Sequence, residues 1–157
     1  MNPFLNVLQF LVLTLWVGAQ FGFAVLFAPV LFRSLESRDQ AGEIAGEALG
    51  RIDSLGLATG GIMIVVTALQ AIDSAWRAID LGRLLIAAAM LVLVGISVIT
   101  IRQRLDAIRT KMGKPIDQFD PKDPLRVEYN RYHRMSRGVF TLNMLLGALL
   151  IGLSALR

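Results

Sequence analysis

Few side chains in this sequence could do chemistry, and most of them are uncharged polar groups inside long apolar runs. Counted inward from the run ends that lie away from the basic loops, Trp16, Thr59 and Asn143 fall about 13 to 14 residues deep, with Gln20 and Ser97 a turn deeper. Amides and hydroxyls at one depth can hydrogen-bond each other across helices, at about 1 kcal/mol a bond in hydrocarbon, or contact a bound or permeating solute. Both roles remain open at the level of sequence. Met63 and Met90 also match in depth, with Met144 within about a turn of them. Three thioethers could hold a soft cation such as Cu(I), although methionine at helical spacing is more often core filler. His133 and Ser136 share a helix face, but no acid is placed to orient them as a hydrolytic pair, so packing, head-group contact or ligand contact are the roles left.

Several chemistries have no residues to carry them. The chain has no cysteine and one histidine, so disulfides and thiol catalysis are excluded, and zinc and iron centres are not expected. No phosphate-binding glycine loop or catalytic constellation is present; the expectation is a non-enzyme without a cofactor. Asp73, Asp80 and Arg83 stand at helix ends and His133 precedes the last apolar run, leaving no ionisable group in the middle of any run. Proton pumps and voltage sensors usually need one there.

The elements that must position these residues follow from where the apolar residues gather. Of 157 residues, 55% are hydrophobic and 18% charged, and the mean hydropathy is +0.60, values outside the range of a soluble domain. The apolar residues form four blocks, at about 4–32, 52–72, 81–103 and 137–156, each near the roughly 20 residues that cross a bilayer as helix. Lipid offers no partners to backbone amides, and the two-residue alternation of a barrel strand is absent, so the blocks must be helices. The fold class is an all-α membrane protein of four transmembrane helices in a single integral membrane domain, 1–157. The first block has no basic residue before it and no small-residue cleavage site after it, and is expected to stay in the mature protein.

Within this frame, Asn2 and Pro3 start helix one as N-cap and first helical residue, and Pro29 should release the Val25 carbonyl and bend its far end. Residues 37–51 place Ala41, Ile44, Ala45, Ala48, Leu49 and Ile52 on one face: an amphipathic helix expected along the interface before span two. Gly42, Gly46 and Gly50 form a smooth stripe, as do Gly18 and Gly22, open to close packing within the chain or to a homo-oligomer seam. Asp80 is placed to cap span three, which should run past the bilayer to Met112 and stop at Gly113. Asp123-Pro124 should begin a long last helix. The third and fourth helices thus extend as a basic stem.

Thirteen of the sixteen Lys and Arg residues fall in or beside the two loops at that end. The positive-inside rule puts those loops in the cytoplasm and both termini outside, in an inner (plasma) membrane. Anionic lipid head groups are the expected partners of the basic residues, and nucleic acid is not needed to explain the net charge of +4.

The residues Trp16-Val17-Gly18, Phe21, Pro29, Leu31 and Phe32, followed by Ala41-Gly42, resemble the opening of the domain-of-unknown-function 4149 family, relatives of transmembrane protein 205. The closing pattern His133-x-x-Ser136 with Asn143 agrees. This resemblance implies four helices and membrane residence. The first-helix pattern is also similar to that of the copper-resistance D family, which would imply metal traffic, and of four-helix protoporphyrinogen oxidases, whose span-one histidine is missing here. The function these readings favour is a channel or transporter-like protein for a small solute or metal ion. The alternatives are an accessory subunit of a larger membrane complex and a haem-pathway or other membrane redox protein.

Overall fold

The computed structural model describes residues 3–73 and 75–155. The expected capping by Asn2 lies outside them. Four helices long and apolar enough to cross a membrane run through Pro3–Ser34, Arg38–Asp73, Ala78–Met112 and Pro124–Ala155. Two are internally modulated. The first comprises α1 (Pro3–Gly22), a π-helical segment Phe23–Phe27 and α2 (Ala28–Ser34); the third comprises α4 (Ala78–Ile96), a second π segment Ser97–Arg102 and α5 (Gln103–Met112). The second helix is α3 (Arg38–Asp73), and the fourth α6 (Pro124–Ala155).

Local chemistry explains the interruptions and ends. Pro29 has no amide to donate, and the ladder ahead of it widens rather than simply losing one bond: the Ala28 amide donates to the Phe23 carbonyl, five residues back. Gly113 ends α5 at φ +61°, its amide donating to the Arg109 carbonyl. Asp123 caps α6 by accepting from the Leu125 amide at 2.8 Å. Asp80 is not the cap of α4. That helix starts two residues earlier, at Ala78, and the Asp80 side chain turns inward.

The amphipathic segment 37–51 forms, with Ala41 and Ala45 buried, but it is continuous with span two in one 36-residue helix. At 1.5 Å per residue α3 is about 54 Å long, well beyond a hydrocarbon core of about 30 Å, so its first turns extend past the apolar layer.

Large apolar side chains cover the outside, among them Phe4, Leu11, Leu26, Leu85, Val92 and Leu145. Such a surface suits lipid and no aqueous solvent. Inside, Val12, Leu13, Trp16, Met63, Ala87, Met90, Val94 and Leu150 make a buried core from all four helices. Glycine lets the largest member in. A Cβ on Gly56 would stand 2.7 Å from Trp16 Nε1, and one on Gly60 3.1 Å from the same ring. The Gly42/Gly50 stripe is filled by arginine rather than by another helix backbone: Arg109 lies 3.3 Å from a Gly42 Cβ position, and the Arg102 guanidinium occupies the place of a Gly50 Cβ while donating to the Gly46 carbonyl. Gly18 and Gly22 face open space.

Candidate functional site

The bundle has two unlike ends. At the end that carries the Asp73–Ala78 turn, polar side chains from α1, α3, α4 and α6 meet in a closed network. Arg83 and Asp80 are both fully buried and paired at 3.2 Å. Arg83 also donates to Gln9 Oε1 and, at 3.0 Å, to Gln70 Oε1. Gln9 passes a bond to Ser154 at 3.1 Å and Gln70 one to Asn6 at 3.1 Å, while Arg77 reaches Asp80 at 3.1 Å. A buried ion pair needs partners for its remaining donors and acceptors, and here Gln9 and Gln70 accept from Arg83 while Arg77 donates to Asp80, with Ser154 and Asn6 bonded to the two glutamines in turn.

Below this network lies the Trp16, Met63 and Met90 core, and below that a single polar chain. Asn143 Nδ2 donates to the Met90 carbonyl at 2.8 Å, and Gln20 Nε2 donates to Asn143 Oδ1 at 3.1 Å, tying spans one, three and four. Thr59 donates to the Leu55 carbonyl of its own helix at 2.7 Å. Trp16, Gln20, Thr59 and Asn143 are all buried and line no large opening. Gln20, placed by sequence a turn deeper than Asn143, meets it here in a packed seam. The three methionines are not assembled: Met63 and Met90 are in the closed core, whereas Met144 is half-buried and outside that cluster. Among the described residues no group of three His, Cys, Asp or Glu side chains could hold a metal.

At the basic end the helices part around an open cleft of about 1100 Å³. Phe23, Phe32 and Phe140 supply apolar wall, and Arg102, Arg109, Arg137 and His133 supply charge or polarity, opposed by Glu43, Asp53 and Asp106. Both π segments contribute lining residues, Phe23 and Ala24 from the first and Ser97 and Arg102 from the second. Of the residues singled out by sequence, Ser97, His133, Ser136 and Phe32 line this cleft; Pro29 and Gly18 do not. Tyr129 stacks on His133 with centroids 6.0 Å apart and receives Arg109 over its ring at 5.6 Å. His133 precedes the apolar part of α6; burial of its ring first, then Arg137 and Arg109, hold its pKa below the ordinary 6.5. Arg137 has no acidic partner within 4 Å among the described residues.

At the cleft floor Ser97 donates to Asp53 Oδ2 at 2.9 Å. Asp53, Ser97, Ser136 and Phe140 also line a second, smaller void of about 20 Å³ shared with Gln20 and Asn143. Sequence reasoning passed over Asp53, because it stands at the first turn of the apolar block and reads as an interfacial charge.

A family model described as Domain of unknown function (DUF4149) matches residues 11–114. No curated protein and no solved structure matches the chain.

Proposed function

The chain belongs to the Domain of unknown function (DUF4149) family and is an integral membrane protein, and we propose that it is a transporter-like protein that admits a small solute at its basic end. One observation carries this reading: access is one-sided. A cleft of about 1100 Å³, slightly above the roughly 300–1,000 Å³ of small-molecule sites, reaches in from the basic end as far as the Asp53–Ser97 pair. Beyond that floor the path is closed by the Trp16 core and then by the Asp80–Arg83 network. A static open channel would need a continuous path, so the arrangement favours a carrier that must move to release its solute on the far side.

A lining that combines Phe23, Phe32 and Phe140 with Arg109, Arg137 and His133 suits a solute with an apolar body and a charged or hydrogen-bonding group. A soft metal ion is a poorer fit, since Met63 and Met90 are sealed in the core. In this reading the basic end faces the cytoplasm and its exposed Lys and Arg residues contact anionic lipid.

The test is uptake of small charged and amphiphilic solutes into proteoliposomes. At least one solute should enter faster than into protein-free vesicles, and Ala24→Trp or Ala28→Trp, which fill the cleft, should slow it several-fold. If every solute in the panel moves at the protein-free rate, the reading fails.

A further inference from the structure

The 20 Å³ void beneath the cleft has a lining whose chemistry can be assigned by following hydrogen bonds from a fixed starting point. The Met90 carbonyl can only accept, so the Asn143 atom 2.8 Å from it must be the amide nitrogen. Asn143 then presents Oδ1, which can only accept, and the Gln20 atom 3.1 Å away must be Nε2. Gln20, which lines the void, is therefore left with Oε1 free to accept. That atom is buried on a side chain only 3% exposed and has no hydrogen-bond partner. An orphan buried acceptor calls for a donor or a cation.

The other groups around the void are of the same kind. Asp53 contributes a carboxylate whose Oδ2 accepts from Ser97 and which has no basic side chain within 4 Å among the described residues. Ser97 gives its proton to Asp53 and so presents lone pairs elsewhere; Ser136 adds a second hydroxyl. Arg102, which lines the same cleft, donates to the Gly46 carbonyl and acts on Asp53 by its charge from beyond ion-pair distance.

We propose that this void is a binding site for one small monovalent cation of sodium's size and hardness, held by Gln20 Oε1, Asp53, Ser97 and Ser136. Oxygen donors without nitrogen or sulfur select hard cations over zinc or copper. One carboxylate is too little charge, and the void too little room, for the six to eight ligands of calcium or for magnesium with its retained waters. A monovalent ion balances the single negative charge, and a volume of this order holds one ion or one water. Asp53, Ser97 and Ser136 line cleft and void alike, so the ion enters from the basic end. The site does not depend on the cleft's being a solute path, and its test uses no solute.

Purified protein in detergent is compared in sodium chloride and choline chloride at equal ionic strength, by saturable binding of radioactive sodium and by thermal unfolding. One sodium per chain is expected, with a rise in Tm of roughly 5–10 °C when sodium is a hundredfold above half-saturation. Asp53→Asn and the milder Ser136→Ala should each weaken binding at least tenfold, whereas Asp117→Asn, in an exposed loop, should not. Absence of saturable binding together with equal Tm in both salts would mean that the void holds water only and would overturn the assignment. Binding that survives both Asp53→Asn and Ser136→Ala would place the ion elsewhere and overturn it equally. Should Asp53→Asn fail to fold, the wild-type comparison and Ser136→Ala still decide.

Discussion

Gly56→Ala tests whether the buried indole of Trp16 is what holds spans one and two in register. A methyl group there would stand 2.7 Å from Trp16 Nε1, 3.1 Å from Cε2 and 3.3 Å from Val94 Cγ2. Trp16 is fully buried in the core, so its rigid ring cannot swing aside as a flexible chain end would. Overpacking of this kind costs about 1–3 kcal/mol. Alanine returns up to about 1 kcal/mol of helix propensity, which would mask part of the loss in a comparison with wild type alone. Gly61 supplies the control, because it is on the same helix and a Cβ there meets nothing within 4 Å. The propensity gain cancels between Gly56→Ala and Gly61→Ala, leaving the steric term. At about 2–4 °C per kcal/mol for a chain of this size, Gly56→Ala should unfold about 2–12 °C below Gly61→Ala in thermal melts followed by circular dichroism in one detergent. In a Trp16→Phe background, where the offending ring edge is gone, the gap should close. Equal melting temperatures for the two alanine variants in the wild-type background would refute the packing argument.

Arg83→Met strips a fully buried Asp80 of one ion-pair partner and removes bonds to Gln9 and Gln70, and should cost on the order of 3–5 kcal/mol in denaturant unfolding; a loss under about 1 kcal/mol would show the network to be dispensable. Asn143→Leu breaks the tie between spans one, three and four and should cost about 0.6–2 kcal/mol in the same assay, with no change counting against the seam. The chain has no cysteine, so single-cysteine variants report access directly: Ser136→Cys, in the cleft, should react with an impermeant maleimide from the basic side, and Thr59→Cys, in the core, should not. His133 should titrate below 6.5 by NMR, since burial and then Arg137 and Arg109 disfavour its charged form. The unfolded chain then binds the proton more readily than the folded one, so the stability this group contributes is full above about pH 6.5 and falls as pH drops through the folded pKa. A midpoint at or above 6.5 would contradict the cleft electrostatics.

Much of the fold was legible because lipid removes alternatives. An apolar block of about 20 residues cannot leave its amides unpaired, so it must be a helix whatever its neighbours do. Helix rotation was not legible for the same reason. Leu11 faces outward and Leu13 inward, and both are leucine; hydrophobicity cannot say which side is the core when the solvent is itself hydrophobic. Gln20 and Asn143 could thus be placed within a turn of each other in depth, but depth alone does not say whether they face a cavity or, as here, bond each other in a seam. The Asp80–Arg83 network was missed although its signal was present. Asp80 and Arg83 stand three apart on one helix face, and Gln9, Gln70 and Ser154 lie at similar depth from the same end. The depth comparison applied to Trp16, Thr59 and Asn143 finds that set too, once terminal charges are not all taken as orientation markers.

The glycines complete the contrast between the ends. Gly56 and Gly60 receive a tryptophan ring that has no freedom to move, and above it Asp80, Gln9 and Gln70 close on Arg83, with Ser154 of α6 bonded to Gln9, so that end is held by rigid parts and a buried hydrogen-bond network. Gly42 and Gly50 receive the ends of Arg109 and Arg102, long chains whose rotamers can change without moving a backbone. Both π segments, where the helical ladder is already widened, lie beside the same cleft. Packing of this kind concentrates adjustability at the basic end, which is where closure would begin under the proposed carrier reading.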